Sequence, residues 1–110
     1  MSRLEELKDN INEYSQSAEL LFKQGLNNAA FMMYFKTLVV ICDYILWRDL
    51  RIFPDNHGER FRVLRLRYPD LYEVLSYYFP YYRDTYTKRV DDRILVAIRN
   101  DVIRLKEKVE

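Results

Sequence analysis

The chain holds one cysteine, one histidine and two glycines in 110 residues, and these scarcities exclude whole classes of chemistry. A lone Cys42 cannot close an internal disulfide, which fits a reducing compartment. Its place in the run Leu38-Val39-Val40-Ile41-Cys42 marks it as a small buried hydrophobe rather than a reactive thiol. One histidine and one cysteine, without paired spacing, do not make a zinc or di-iron site, so no metal or other cofactor is expected. Gly25 and Gly58 alone cannot build a glycine-rich phosphate loop. A nucleophile–base pair would have to use His57, and no serine or cysteine is tied to it by spacing. The charges nearly cancel, at +1, so any attraction to nucleic acid or anionic lipid must come from a local patch.

What is present describes a folded globular chain: 49% hydrophobic residues and 32% charged ones, at a length that suits one domain over residues 1–110. The N-terminus, Met1-Ser2-Arg3-Leu4-Glu5-Glu6, is charged and has no signal-peptide hydrophobic region. Ala29 to Trp47 is apolar for about the length of a membrane span. Lys36 and Asp43 interrupt it, and a central helix buried on most sides explains it better. A cytoplasmic protein without a membrane segment is expected.

The apolar residues repeat at helical spacing. Ser2-Arg3-Leu4-Glu5 has the form of a capping box. Leu4, Leu7, Ile11, Tyr14, Ala18 and Leu21 then alternate by three and four, predicting a helix to about Gln24 that Gly25 ends in a left-handed cap. Asn27 or Asn28 is placed to cap a second helix, from about Ala29 to Leu50, apolar almost all round. Pro54 to Gly58 reads as a turn-rich loop. Arg60 to Arg67 alternates briefly like a strand, but Phe61, Leu64 and Tyr68 fit one face of a short helix. Pro69-Asp70 opens another helix with Leu71, Leu75, Tyr78 and Tyr82 inward, which Pro80 is expected to kink or to split near Phe79. Asp91 or Asp92 starts the last helix, with Leu95, Ile98, Val102, Leu105 and Val109 as its stripe. The fold class is all-α, a small antiparallel bundle of four to five helices, because connections this short favour antiparallel neighbours.

Three features bear on function. Tyr77-Tyr78-Phe79-Pro80-Tyr81-Tyr82-Arg83-Asp84-Thr85-Tyr86 concentrates phenols that need partners, in amphipathic packing, a dimer surface or a groove that stacks bases. Arg48, Arg51, Arg60, Arg62, Arg65 and Arg67 face only Asp49, Asp55 and Glu59 in the same stretch, a local excess of three positive charges (6 − 3). Arg60, Arg62, Arg65 and Arg67 are thus a candidate basic patch for RNA or nucleotide, set against the ordinary reading of a solvated helix face. His57 reads as an exposed turn or cap residue, or as a titrating group beside Arg83 or Asp84. Arg83, Asp84 and Tyr86, with His57, form the candidate polar site. On a helix, Arg83 and Tyr86 would share a face.

The stretch Ser17 to Lys36, Ser-Ala-Glu-Leu-Leu-Phe-Lys-Gln-Gly-Leu-Asn-Asn-Ala-Ala-Phe-Met-Met-Tyr-Phe-Lys, resembles HEPN domains. Those begin with a helix, a glycine turn and a long apolar helix with alanines and an aromatic. Tyr82-Arg83-Asp84-Thr85-Tyr86 looks like the place of their arginine-led motif. The resemblance implies a small bundle that dimerises or pairs with another protein. Many HEPN proteins are RNA-cleaving toxins, and others accompany minimal nucleotidyltransferases. In the ribonucleases a histidine follows the arginine after four to six residues. Arg83 matches the arginine, but Lys88, Arg89 and Val90 occupy the histidine positions. The expectation is therefore a non-catalytic HEPN-like binding or interaction module, as a homodimer, a nucleotidyltransferase partner, or a binder of RNA or nucleotide. The alternatives are a divergent ribonuclease using Arg83 and His57, or a structural bundle with a protein partner.

Overall fold

The computed structural model describes all 110 residues as five α-helices without a strand. They are α1 (Arg3–Lys23), α2 (Asn27–Leu50), α3 (His57–Arg67), α4 (Pro69–Asp84) and α5 (Asp92–Lys106), the last extended by a 3-10 turn, Glu107–Val109.

The start of α1 is the expected capping box: Ser2 Oγ accepts from the Glu5 amide at 3.1 Å, and Glu5 Oε1 accepts from the Ser2 amide at 3.3 Å. Its end is Gly25 at φ +74°, whose amide and that of Leu26 return to Phe22 and Leu21 carbonyls. The expected asparagine cap of α2 is not formed. Leu26 holds the cap position with no side-chain hydrogen bond. Asn27 and Asn28 turn instead toward the other end of the sequence. Asn28 donates to the Thr85 and Lys88 carbonyls and accepts from the Val90 amide, while Asn27 donates to Asp92. The two asparagines thus fasten the α4–α5 connection to the start of α2.

The central helix is α2, which packs against α1, α4 and α5. Phe31, Tyr34, Phe35, Leu38, Ile41, Ile45 and Leu46 are buried along it, meeting Ile11 and Ala18 of α1 and Leu95, Ile98, Val102 and Leu105 of α5. Each such aliphatic or aromatic side chain contributes about 1.5–3 kcal/mol by leaving water. By length and hydropathy α2 could cross a membrane, but 61% of its apolar window is buried in the bundle. Buried phenols keep partners at their tips: Tyr34 donates to Glu19 at 2.7 Å and Tyr78 to Asp101 at 2.6 Å. Arg99 of α5 adds a two-pronged bond to the same Glu19, so α1, α2 and α5 meet at one carboxylate.

The ambiguous segment is helical. Arg60, Val63 and Leu64 are buried together at spacings of three and four, a face no strand could present. Pro69 occupies the first turn of α4, and the helix continues through Pro80 to Asp84 instead of splitting. One backbone bond is forfeited, and Tyr82, stacked on Phe35 at 4.5 Å beyond it, holds the last turn in place.

Candidate functional site

A buried polar constellation lies at the start of α3. Asn56 is extended there, and its Oδ1 accepts from the Glu59 amide at 2.8 Å, which makes His57 the first residue of the helix. One turn later Arg60 projects onto Asp43 of α2. Its Nε reaches Oδ1 at 2.7 Å and one terminal nitrogen reaches Oδ2 at 2.9 Å, both side chains being about nine-tenths buried. Burial pushes the Asp43 carboxyl above its ordinary value, and the Arg60 bonds and charge pull it only part of the way back.

The other terminal nitrogen of Arg60 lies 3.1 Å from His57 Nδ1. A guanidinium can only donate, so Nδ1 accepts and the imidazole proton sits on Nε2. The ring is enclosed by Phe79 at 5.2 Å, Phe61 at 6.3 Å and Phe35 at 6.4 Å. Desolvation there, followed by the charge of Arg60, lowers the His57 pKa below 6.5, against an opposing pull from Asp43. His57 is therefore a neutral donor at pH 7. It holds no free lone pair for a general base, and a second proton is opposed by both burial and Arg60.

His57 and Arg60 line a cleft of about 430 Å³. Phe35 and Lys36 of α2, Tyr14 of α1 and Tyr82 of α4 form its walls, with Asp55 and Asn56 at its edge. Lys36 is exposed and has no carboxylate in ion-pair range, whereas Arg60 is consumed by Asp43 and His57. The cleft thus offers the Tyr82 ring backed by Phe35, one free ammonium and one fixed N–H, with the Asp55 carboxylate at its edge.

A second cleft, of about 530 Å³, lies at the other end of α3, between the C-terminal half of α2, the α3–α4 elbow and the end of α5. Arg48 grips Asp49 and donates to the Lys108 carbonyl, and the Tyr68 hydroxyl also donates to Asp49 at 2.7 Å.

The polar group anticipated on α4 is distributed rather than assembled. Arg83 is exposed, its guanidinium 5.5 Å from the Phe79 ring, which also packs against His57, Phe61 and Phe35, and no hydrogen bond or ion pair joins Arg83 to His57. Asp84 lies 4.0 Å from Lys88 Nζ. The helix ends at Asp84, so Tyr86 does not share a helical face with Arg83; it falls in a turn with its hydroxyl 3.5 Å from that of Tyr82. Of the basic patch, Arg60 must be withdrawn, because it is buried in the pair with Asp43, while Arg62, Arg65 and Arg67 remain exposed. Asp43 and Lys36 were missed as site residues. The available signal was a carboxylate in the middle of an otherwise apolar helix. Cys42 is fully buried, and burial pushes its thiol up to about 12.

Comparison with protein-family models, curated proteins and solved structures finds no match for this chain.

Proposed function

We propose that the chain is a non-catalytic, HEPN-like binding module that takes a nucleotide unit, free or within RNA, in the cleft at the start of α3. One observation carries the reading: Arg60 fixes His57 as a neutral Nε2–H donor inside an aromatic-walled cleft that also holds the unpaired Lys36. Base–aromatic stacking contributes about 1–3 kcal/mol per base, and Tyr82, already stacked on Phe35, presents a rigid platform for it. Lys36 supplies the charge for a phosphate, and His57 a hydrogen bond to the base edge or to a phosphate oxygen. Binding without turnover follows from the same lock, since His57 can neither take nor release a proton easily near neutral pH. The lone buried Cys42 supports a cytoplasmic setting.

The test is calorimetric titration with nucleoside 5′-monophosphates, alongside incubation with a mixed RNA substrate. Saturable binding that Lys36→Ala and His57→Ala each weaken about tenfold, with intact RNA throughout, supports the reading. Cleavage lost in His57→Ala would replace it with the divergent ribonuclease. Self-association belongs to the same proposal: Tyr77, half exposed, packs with Tyr81 on the outer side of α4 and offers an aromatic surface to a second copy. Sedimentation showing only monomer at high micromolar concentration would remove the homodimer and leave the cleft untouched.

A further inference from the structure

The two clefts lie at opposite ends of one helix. Eleven residues at about 1.5 Å each make α3 about 16 Å long. His57 and Arg60 line the cleft at its beginning, and Arg67 and Tyr68 line the one at its end. Between them Arg62 and Arg65 are exposed, three positions apart on the outer face. Arg62, Arg65 and Arg67 make no ion pair or side-chain hydrogen bond, whereas the arginines elsewhere that meet carboxylates are matched individually. In the second cleft, Asp49 already holds Arg48 and Tyr68, so that pair adds little net charge. Arg104 is likewise paired with Asp101, so the cations left over are Arg67 and Lys108, with Asp70 the carboxylate against them. Ile45, Leu71, Val74 and Leu105 form an apolar floor beneath these charges.

We propose that α3 is a track for single-stranded polynucleotide, with a nucleotide seated in each cleft and the intervening phosphates lying along Arg62 and Arg65. This rests on the nucleotide reading of the first cleft and extends it from a unit to a polymer. At the 3.4 Å spacing of stacked nucleotides the helix spans about five units, fewer if the strand is stretched. The Arg67–Lys108 rim receives the far phosphate, and the apolar floor takes the face of a base. A free mononucleotide fills one cleft and leaves the arginine row unengaged, so affinity must climb with length until both clefts are occupied. Each phosphate neutralised on a single strand lowers the slope of log K against log salt by about 0.7.

Calorimetric titration with adenosine 5′-monophosphate and with oligoadenylates of two, four and six nucleotides decides the matter. Affinity rising at least about tenfold from the monophosphate to the hexanucleotide is expected. The surface variant Arg62→Ala/Arg65→Ala should lose about tenfold for the hexanucleotide, flatten its salt slope by about 1.4, and leave the monophosphate unchanged. Arg67→Glu should weaken the hexanucleotide. Affinity independent of length, or a hexanucleotide indifferent to the arginine variants, overturns the track while leaving the first cleft as a nucleotide site. Failure of every nucleotide to bind overturns both.

Discussion

Replacing Arg60 with methionine strands the Asp43 carboxylate inside the bundle. Both oxygens lose their partners, at 2.7 and 2.9 Å, and Asp43 sits on the central helix at 6% exposure. Removing one member of such a pair costs about 3–5 kcal/mol, a large share of the roughly 5–15 kcal/mol that holds a domain together. The reverse change, Asp43→Leu, should cost less, because Arg60 borders the cleft and can swing its guanidinium toward solvent. The double variant Asp43→Leu/Arg60→Met removes both charges and should return to within about 1–2 kcal/mol of the parent, as buried pairs exchanged for apolar side chains do. The pH dependence has a definite sign. Burial already raises the Asp43 pKa above its ordinary 3.8, so its stabilising contribution is complete below that value and is lost as pH climbs through the higher native pKa. Without Arg60 the native pKa moves further up, so the deficit of Arg60→Met should be smaller at pH 5 than at pH 7. Urea unfolding followed by circular dichroism measures all four corners of the cycle. Additive losses, with the double variant as unstable as the two singles summed, would refute the reasoning, because the two charges would then not be compensating each other.

Three further outcomes follow from the geometry. Asn28→Ala removes three hydrogen bonds to the α4–α5 connection and should cost about 2–3 kcal/mol, with the Val90 amide exchanging faster with solvent; unchanged protection at Val90 would show that the connection is held otherwise. Gly25→Ala should cost about 1–2 kcal/mol from backbone conformation alone, since nothing lies within 4 Å of the added methyl; a neutral thermal shift would contradict the left-handed turn. Cys42, its thiol raised to about 12 by burial, should resist a disulfide reagent at pH 8 in the folded protein and react promptly in urea. Rapid native labelling would mean that α2 is not the sealed centre of the bundle.

The elements legible in the sequence are those with local causes. The alternating stripes of α1 and α5 need only the helical period, the Ser2 box only a spacing of three, and Gly25 only the lack of a side chain at φ +74°. Asn27 and Asn28 misled for the opposite reason: a cap is a local bond, but their partners lie 57 to 65 positions away. The Arg60 reading failed likewise. Charge counted along a segment does not reveal that one arginine of four turns inward toward Asp43, 17 residues earlier. The Arg83–Tyr86 face was drawn on a helix that ends two residues too soon, at Asp84. The helix and core were therefore readable from period and polarity, whereas the cleft depends on pairings between distant segments.

The Asp43 carboxylate has a consequence beyond the bundle. Before α1, α4 and α5 close around it, α2 is a 24-residue apolar helix with the dimensions of a membrane span. A charge at the centre of such a helix, where Lys36 stands, costs about 2.5–3.5 kcal/mol on insertion into a bilayer, and Asp43, two turns further on, adds a second penalty. These residues give little to the finished core, but they bias the unfinished chain away from lipid. The Asp43→Leu/Arg60→Met protein, although nearly as stable once folded, would lose one of those two charges. More of its newly made chains would then be diverted to membranes.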